Sequence, residues 1–271
     1  MGRSLPGGRG LRALEVRRQE RTRSILFSML RIDFVTLFPD VIAGAMSQSM
    51  MKRAADGGIV QFETANPRDF CYDKHMKVDD VPFGGAAGML IKAEPVALAL
   101  ENLGILPDAL PSDVEIIVTD PTGPRFDQAM AEELSSKRRI IFLCGHYEGI
   151  DQRVVERFKA RAVSIGDFVL TNGELPALII ADAVVRLLPG VLGSADSLKA
   201  DSHSDGLLSA PNYTRPEIWR GETIPEVLKS GDHKAIERWR RAKSLEVTRK
   251  VRPDLLAKAK VDKADVNVLS S

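Results

Sequence analysis

Asp182 and Arg186 interrupt the otherwise nearly uncharged stretch LTNGELPALIIADAVVRLLPGVLG, residues 170–193. Four apart, they share one face of a helix and can pair. Whether Arg186 has further work depends on the polar run SADSLKADSHSDG that follows it. Three other segments, TDPTG (119–123), CGHYEG (144–149) and IGDFVLTNGE (165–174), are rich in glycine. Each alone reads as a tight turn. Together they offer backbone amides and carbonyls to a ligand, with few side chains in the way. No GxGxxG follows the first strand and no GxxxxGK[ST] occurs, which argues against an ordinary dinucleotide fold and against a P-loop. A ligand of modest phosphate demand suits these loops better. Cys71 and Cys144 lack CxxC spacing or a His at metal-ligand spacing, so no zinc site and no disulfide framework are expected. Both read as buried thiols in a reducing compartment.

The elements that must carry these loops alternate along the chain. RIDFVTL (31–37) reads as a strand, and DVIAGAMSQSMMKRAADGG as one helix stopped by Gly57 and Gly58. IVQFETANP is a second strand, EPVALALENLG a helix, VEIIVTDPTG a strand and turn, and DQAMAEELSSK a helix. RIIFLCGHYEG, GIDQRVVERF and RAVSIGDFVLTNGE then supply a strand, a helix and short strands leading into the helix that holds Asp182. Alternation of this kind predicts an α/β fold with a mainly parallel sheet covered on both faces. In such folds the ligand lies beyond the carboxyl ends of the strands.

The 271 residues are enough for one large domain and a smaller one. The net charge of +1 is unevenly spread: residues 1–28 carry seven Arg and two Glu, which is +5 and leaves −4 for the remainder. That Arg-rich leader reads as a disordered extension, or as the product of an upstream start with Met29 as the functional beginning. Glu174, Asp182 and Arg186 break the longest apolar run, so no membrane span is expected.

RIDFVTLFPD, PFGGAAGMLIK, CGHYEGIDQRV, SIGDFVLTNGELPA and NYTRPEIWRG occur in this order between Met29 and about Arg252. Together they resemble the bacterial tRNA (guanine-N1)-methyltransferase family, TrmD. The resemblance implies a SPOUT-type α/β domain with a deep trefoil knot over residues 29–192, a flexible linker at 193–206, a small all-α tRNA-binding domain at 207–253 and a tail at 254–271. It also implies a cytoplasmic homodimer whose active sites are shared between subunits. Knots are too rare for packing rules to predict one.

The same resemblance implies S-adenosylmethionine as methyl donor. It would be held by Pro121, Gly145, Glu148, Ile165, Gly166, Asp167, Phe168, Val169, Leu170 and Gly173, mostly through main chain, with an apolar wall from Ile165, Phe168 and Leu170. His146 stands where the family often has Arg, and Asn172 where it often has Gly. Asp201 matches the family's general base, which removes the N1 proton of guanine 37 in tRNA. Arg186 would stabilise the charge that this deprotonation pushes onto O6. No protein metal site is implied, although magnesium could assist.

The linker GSADSLKADSHSDG is small and polar, and is expected to order only when tRNA arrives. In the small domain Asp232 reads as an N-cap, followed by Ile236, Trp239 and Leu245 near one face and cations elsewhere. The glycine segment DDVPFGGAAGMLIK (79–92) reads as separate from the cofactor loops. Two alternatives stand beside this reading: another SPOUT methyltransferase acting on a different nucleotide, and a non-catalytic tRNA-binding protein that has kept the fold.

Overall fold

The computed structural model describes residues 29–85, 87–193, 201–262, 265–266 and 269. The expected leader at 1–28 and residues 194–200 of the expected linker lie outside the described residues. The chain divides into two compact units, with the division between Leu192 and Gly193.

The first unit is built on a five-stranded sheet. Its strands are β1 (Leu30–Val35), β2 (Val60–Ala65), β5 (Val114–Thr119), β6 (Arg139–Leu143) and β7 (Arg161–Val163), in spatial order β2-β1-β6-β5-β7. All four pairings are parallel. The central strands are nearly continuous apolar runs because both faces are covered. On one face Ile32, Phe34, Ile117, Ile140 and Phe142 pack against α1 (Pro39–Met46), α2 (Ser49–Asp56), α4 (Gln128–Ser135) and α6 (Glu174–Val185). On the other, Val35, Ile116, Ile141 and Leu143 meet α3 (Ala93–Asn102) and α5 (Gln152–Arg157). Phe34 and Phe142 stack at 5.4 Å across β1 and β6. One fully buried charge sits in these strands: Asp33, bracketed by Arg31 at 2.9 Å and Arg139 at 2.6 Å.

Local signals fix the helix ends. Asp127 and Asp151 cap α4 and α5 by accepting from Met130 and Arg153 N–H, and Pro39 opens α1, where its missing N–H costs nothing. The single helix expected before Gly57 is two. Ser47 ends α1, Gln48 is extended and Ser49 takes φ 48°, so the chain turns between them. The break lets Ile42 and Met46 of α1 and Met51 and Ala54 of α2 each face the core.

A short antiparallel pair, β3 (Asp79–Asp80) and β4 (Leu90–Ile91), spans the second glycine segment. That segment is not separate from the loops of the sheet, as its composition led us to expect. Glu148 N–H donates to the Met89 carbonyl and Ile91 N–H to that of Gly149, both at 3.0 Å.

The second unit is not all-α. It contains a hairpin, β8 (Ile218–Trp219) and β9 (Glu222–Thr223), before the long helix α7 (His233–Val251) and the short α8 (Pro253–Leu256). Arg220 and Gly221 occupy the hairpin turn with φ 52° and 89°, the two positive values that a two-residue turn needs to match strand twist. Asp232 caps α7 by accepting from Ala235 N–H at 3.1 Å. Leu245 and Thr248 are the buried face of α7, and Thr248 Oγ1 accepts from Leu208 N–H at 2.9 Å. The segment expected as a tail begins within α8, and its Asp265, buried, takes two hydrogen bonds from Arg241 at 3.0 and 2.7 Å.

Candidate active site

A cavity of about 320 Å³ opens beyond the carboxyl ends of β5, β6 and β7. It is walled by the three glycine-rich loops, residues 119–122, 145–149 and 163–173. Nine of the ten expected cofactor residues line it: Pro121, Gly145, Glu148, Ile165, Gly166, Phe168, Val169, Leu170 and Gly173. Asp167 does not. Its side chain is 95 % exposed and lies 3.8 Å from Arg125, so the chain turns it outward between two lining neighbours.

The glycines are there because backbone meets backbone. Gly173 N–H donates to the Gly145 carbonyl at 2.8 Å, and a Cβ at 173 would lie 2.6 Å from Gly145 N and 2.8 Å from the Cys144 Cα. Gly123 has the same constraint: a Cβ there would meet the Ala162 carbonyl carbon at 2.4 Å, where the loop after β5 crosses β7. Distances under 3 Å between carbons are forbidden by hard-sphere sterics, so any larger residue must displace main chain.

Beneath the loops is a polar cluster that composition did not single out. Glu174, the first residue of α6, is fully buried. The Thr36 hydroxyl, at the end of β1, donates to Glu174 Oε1 at 2.5 Å. His146 Nε2 lies 3.0 and 2.9 Å from the two carboxylate oxygens; a carboxylate can only accept, so the imidazole carries its proton on Nε2. Burying a carboxylate costs several kcal/mol unless it is paired, and these two donors supply the pairing. The His146 ring also packs against Phe38 at 4.7 Å. Cys144, wholly buried beside Glu174, has its thiol pushed well above the ordinary range by desolvation first and by the carboxylate second, so it stays protonated and unreactive. Thr119 Oγ1 donates to the Gly173 carbonyl at 3.1 Å. Sequence reading missed Thr36 and Thr119 and the contact of His146 with Glu174, because their partners at the start of α6 are 138, 54 and 28 positions away.

The cavity suits a small organic ligand. Its volume lies in the range of small-molecule sites, and Ile165, Phe168 and Leu170 give it an apolar wall. Among the described residues Asn172 Oδ1 has no hydrogen-bond partner and is buried in this lining, an acceptor available to an N–H of a ligand. Among the described residues no group of three or more His, Cys, Asp or Glu could hold a metal ion, so nothing here supports bound magnesium.

Of the expected catalytic residues, Arg186 lies away from this cavity. Arg186 is the C-cap of α6, with its N–H on the Asp182 carbonyl at 3.1 Å. The cavity touches the other end of this helix at Gly173 and Pro176, and twelve residues at 1.5 Å each put Arg186 roughly 18 Å further along the axis. Asp201 belongs to the second unit, where it opens a turn: Ser204 Oγ donates to its carbonyl at 2.8 Å, and His203 N–H donates to the Leu207 carbonyl at 2.7 Å.

A family model described as tRNA (Guanine-1)-methyltransferase TrmD matches residues 30–258. The chain belongs to the TrmD family. It is 51 % identical over 236 residues to a tRNA (guanine-N(1)-)-methyltransferase of Dehalococcoides mccartyi, covering 87 % of this chain and 94 % of that one. Proteins of the same name from Dictyoglomus turgidum (47 % over 241 residues) and Staphylococcus carnosus (46 % over 242) each match 89 % of this chain and 96 % and 97 % of their own lengths. The family assignment spans both compact units. No helix among the described residues is long and apolar enough to cross a membrane.

Proposed function

We propose that this protein methylates N1 of guanine 37 in tRNA, with S-adenosylmethionine as donor and Asp201 as general base. The observation that carries the reading is the convergence of the three glycine loops on one cavity in a member of this family. The donor, when bound, supplies an electrophilic methyl on a sulfonium. Main-chain groups of the loops would hold it, with Ile165, Phe168 and Leu170 as an apolar wall and Asn172 as an acceptor.

Guanine N1 carries a proton and has no free lone pair until that proton leaves. Asp201 accepts it, a step by which a positioned base gains about 10²- to 10⁴-fold. The negative charge then moves to O6, where the Arg186 guanidinium stabilises it. Extruding the target guanine into the site supplies the specificity, and cations on α7 such as Arg238 and Arg240 hold phosphates.

The active form is a homodimer with shared sites. The roughly 18 Å between Arg186 and the cavity of its own chain supports this, since no single protomer then joins the two. The outer stripe of α6 also supports it: Leu175 is 48 % and Ile179 50 % exposed, on the helix face that continues to Asp182 and Arg186. On this reading the three glycine-rich loops form the knot. Residues 193–206 join the domain at 29–192 to the tRNA-binding domain at 207–253, with the tail at 254–271 and the basic extension at 1–28.

Mass mapping of methylated nucleosides in tRNA treated with the purified protein tests the assignment. One methyl at N1 of guanine 37, lost when that guanine is replaced in the transcript, is the expected result. Methylation elsewhere, or none with fresh donor, contradicts it.

A further inference from the structure

We propose that His146 is a positioning residue that sets cofactor affinity through its contact with the buried Glu174, locking two of the pocket's glycine loops together. The proposal rests on the cofactor reading of the cavity given above. Residue 146 sits inside the seam between those loops: it forms an antiparallel bridge with Asn172, and its neighbour Gly145 accepts the Gly173 N–H at 2.8 Å. Gly145, Asn172 and Gly173 all line the cavity. His146 itself does not touch the cavity. Its side chain, 12 % exposed, turns beneath the loops to Glu174, whose side chain is 1 % exposed.

Glu174 therefore has one hydroxyl donor, Thr36, and one donor able to carry a full charge, His146. Protonated, the imidazole neutralises the carboxylate and draws the 145–149 loop onto the start of α6. Neutral, it keeps a single hydrogen bond and leaves the buried charge uncompensated, and the loop is held less firmly. An imidazole can exchange these two states, whereas a guanidinium cannot. The other titratable groups on the elements that meet here are Tyr147 and Glu148 on the same loop, Asp167 on the loop after β7, Asp40 on α1 two residues beyond Phe38, and Cys144. Cys144 stays a neutral thiol because burial raises it. The remaining groups belong equally to wild type and variants, so comparing them isolates residue 146.

The test is calorimetric titration of the full-length protein with S-adenosylmethionine at about pH 6 and about pH 8, for wild type, H146R, H146Q and H146A. Wild type should bind several-fold more weakly at the higher pH. H146R, whose guanidinium stays charged, should bind with the same affinity at both. H146Q, which keeps one neutral donor, should be weak and flat with pH, and H146A weaker still, by about tenfold relative to wild type at pH 6. A residue that merely fills space would move none of these pH ratios. If H146A does not fold, the wild-type, H146R and H146Q comparison decides alone. The proposal is overturned if wild type and H146R share one pH dependence, or if H146A and H146Q bind as wild type does. Absence of binding by wild type at either pH overturns the cofactor assignment itself, and this proposal with it.

Discussion

Gly173 lies with its amide 2.8 Å from the carbonyl of Gly145, so close that the first residue of the α6 entrance has no room for a side chain. The loop after β7 and the loop after β6 are thereby in direct main-chain contact where both wall the cavity. Gly173→Ala must displace main chain at Gly145 and Cys144 together with the Thr119 hydroxyl. We expect at least a tenfold loss of S-adenosylmethionine affinity, with a lower unfolding midpoint. Calorimetry beside a thermal melt checks both; unchanged affinity in Gly173→Ala would show that the contact can yield without cost.

Arg186 should behave oppositely. Because it caps the far end of α6, Arg186→Ala should leave cofactor affinity within about twofold of wild type while lowering turnover about 10²-fold, the scale of one lost donor to a developing oxyanion. Parallel measurement of cofactor Kd and kcat separates the two. Equal losses in both would place Arg186 in the donor pocket.

Shared sites make a sharper forecast. Gly173→Ala homodimers, assayed with donor well below their weakened Kd, and Asp201→Ala homodimers should both turn over slowly. Co-expressed with different tags and purified as the mixed dimer, they should recover activity, because one of the two sites then combines an intact cavity with an intact Asp201. A mixed dimer as slow as its parents would mean that each chain builds its own site.

How much of this was legible beforehand varies with the range of the interaction. β1, β5 and β6 could be read because strands buried on both faces are continuous apolar runs, and the glycine loops because each carries its own local signature. The family motifs then joined them. Other features depend on partners far along the chain. Nothing around Thr36 announces Glu174, 138 positions away, and nothing in PFGGAAGM announces that Gly88 lies against the Glu148 side chain. The hairpin at Ile218–Thr223 escaped notice because its strands are two residues long, too short for any alternation to register. The break between α1 and α2 escaped because Ser47 and Gln48 sit in a pattern whose helical period continues on both sides.

In the second unit, acid should act through Asp265. Its carboxyl is held below the usual carboxylate range, chiefly by the Arg241 hydrogen bonds. A depressed carboxyl contributes stability that is fully present above its unfolded value, about 3.9, and is lost as pH falls through the lower folded value. Asp265→Asn should therefore destabilise the second unit at neutral pH, by about 1.5–3 kcal/mol for lost bonds to a charged group, and flatten its response below about pH 4. Denaturant titration monitored at Trp219 and Trp239, across pH, reads this. A variant as acid-sensitive as wild type would remove Asp265 from the account.

The account turns on Asp201 taking the N1 proton while the glycine-loop cavity holds the methyl donor. The most direct measurement is single-turnover methyl transfer to tRNA by Asp201→Ala, with cofactor affinity determined on the same preparation. The expected result is a rate lower by about 10²- to 10⁴-fold with cofactor affinity unchanged. A rate within a few-fold of wild type would contradict it.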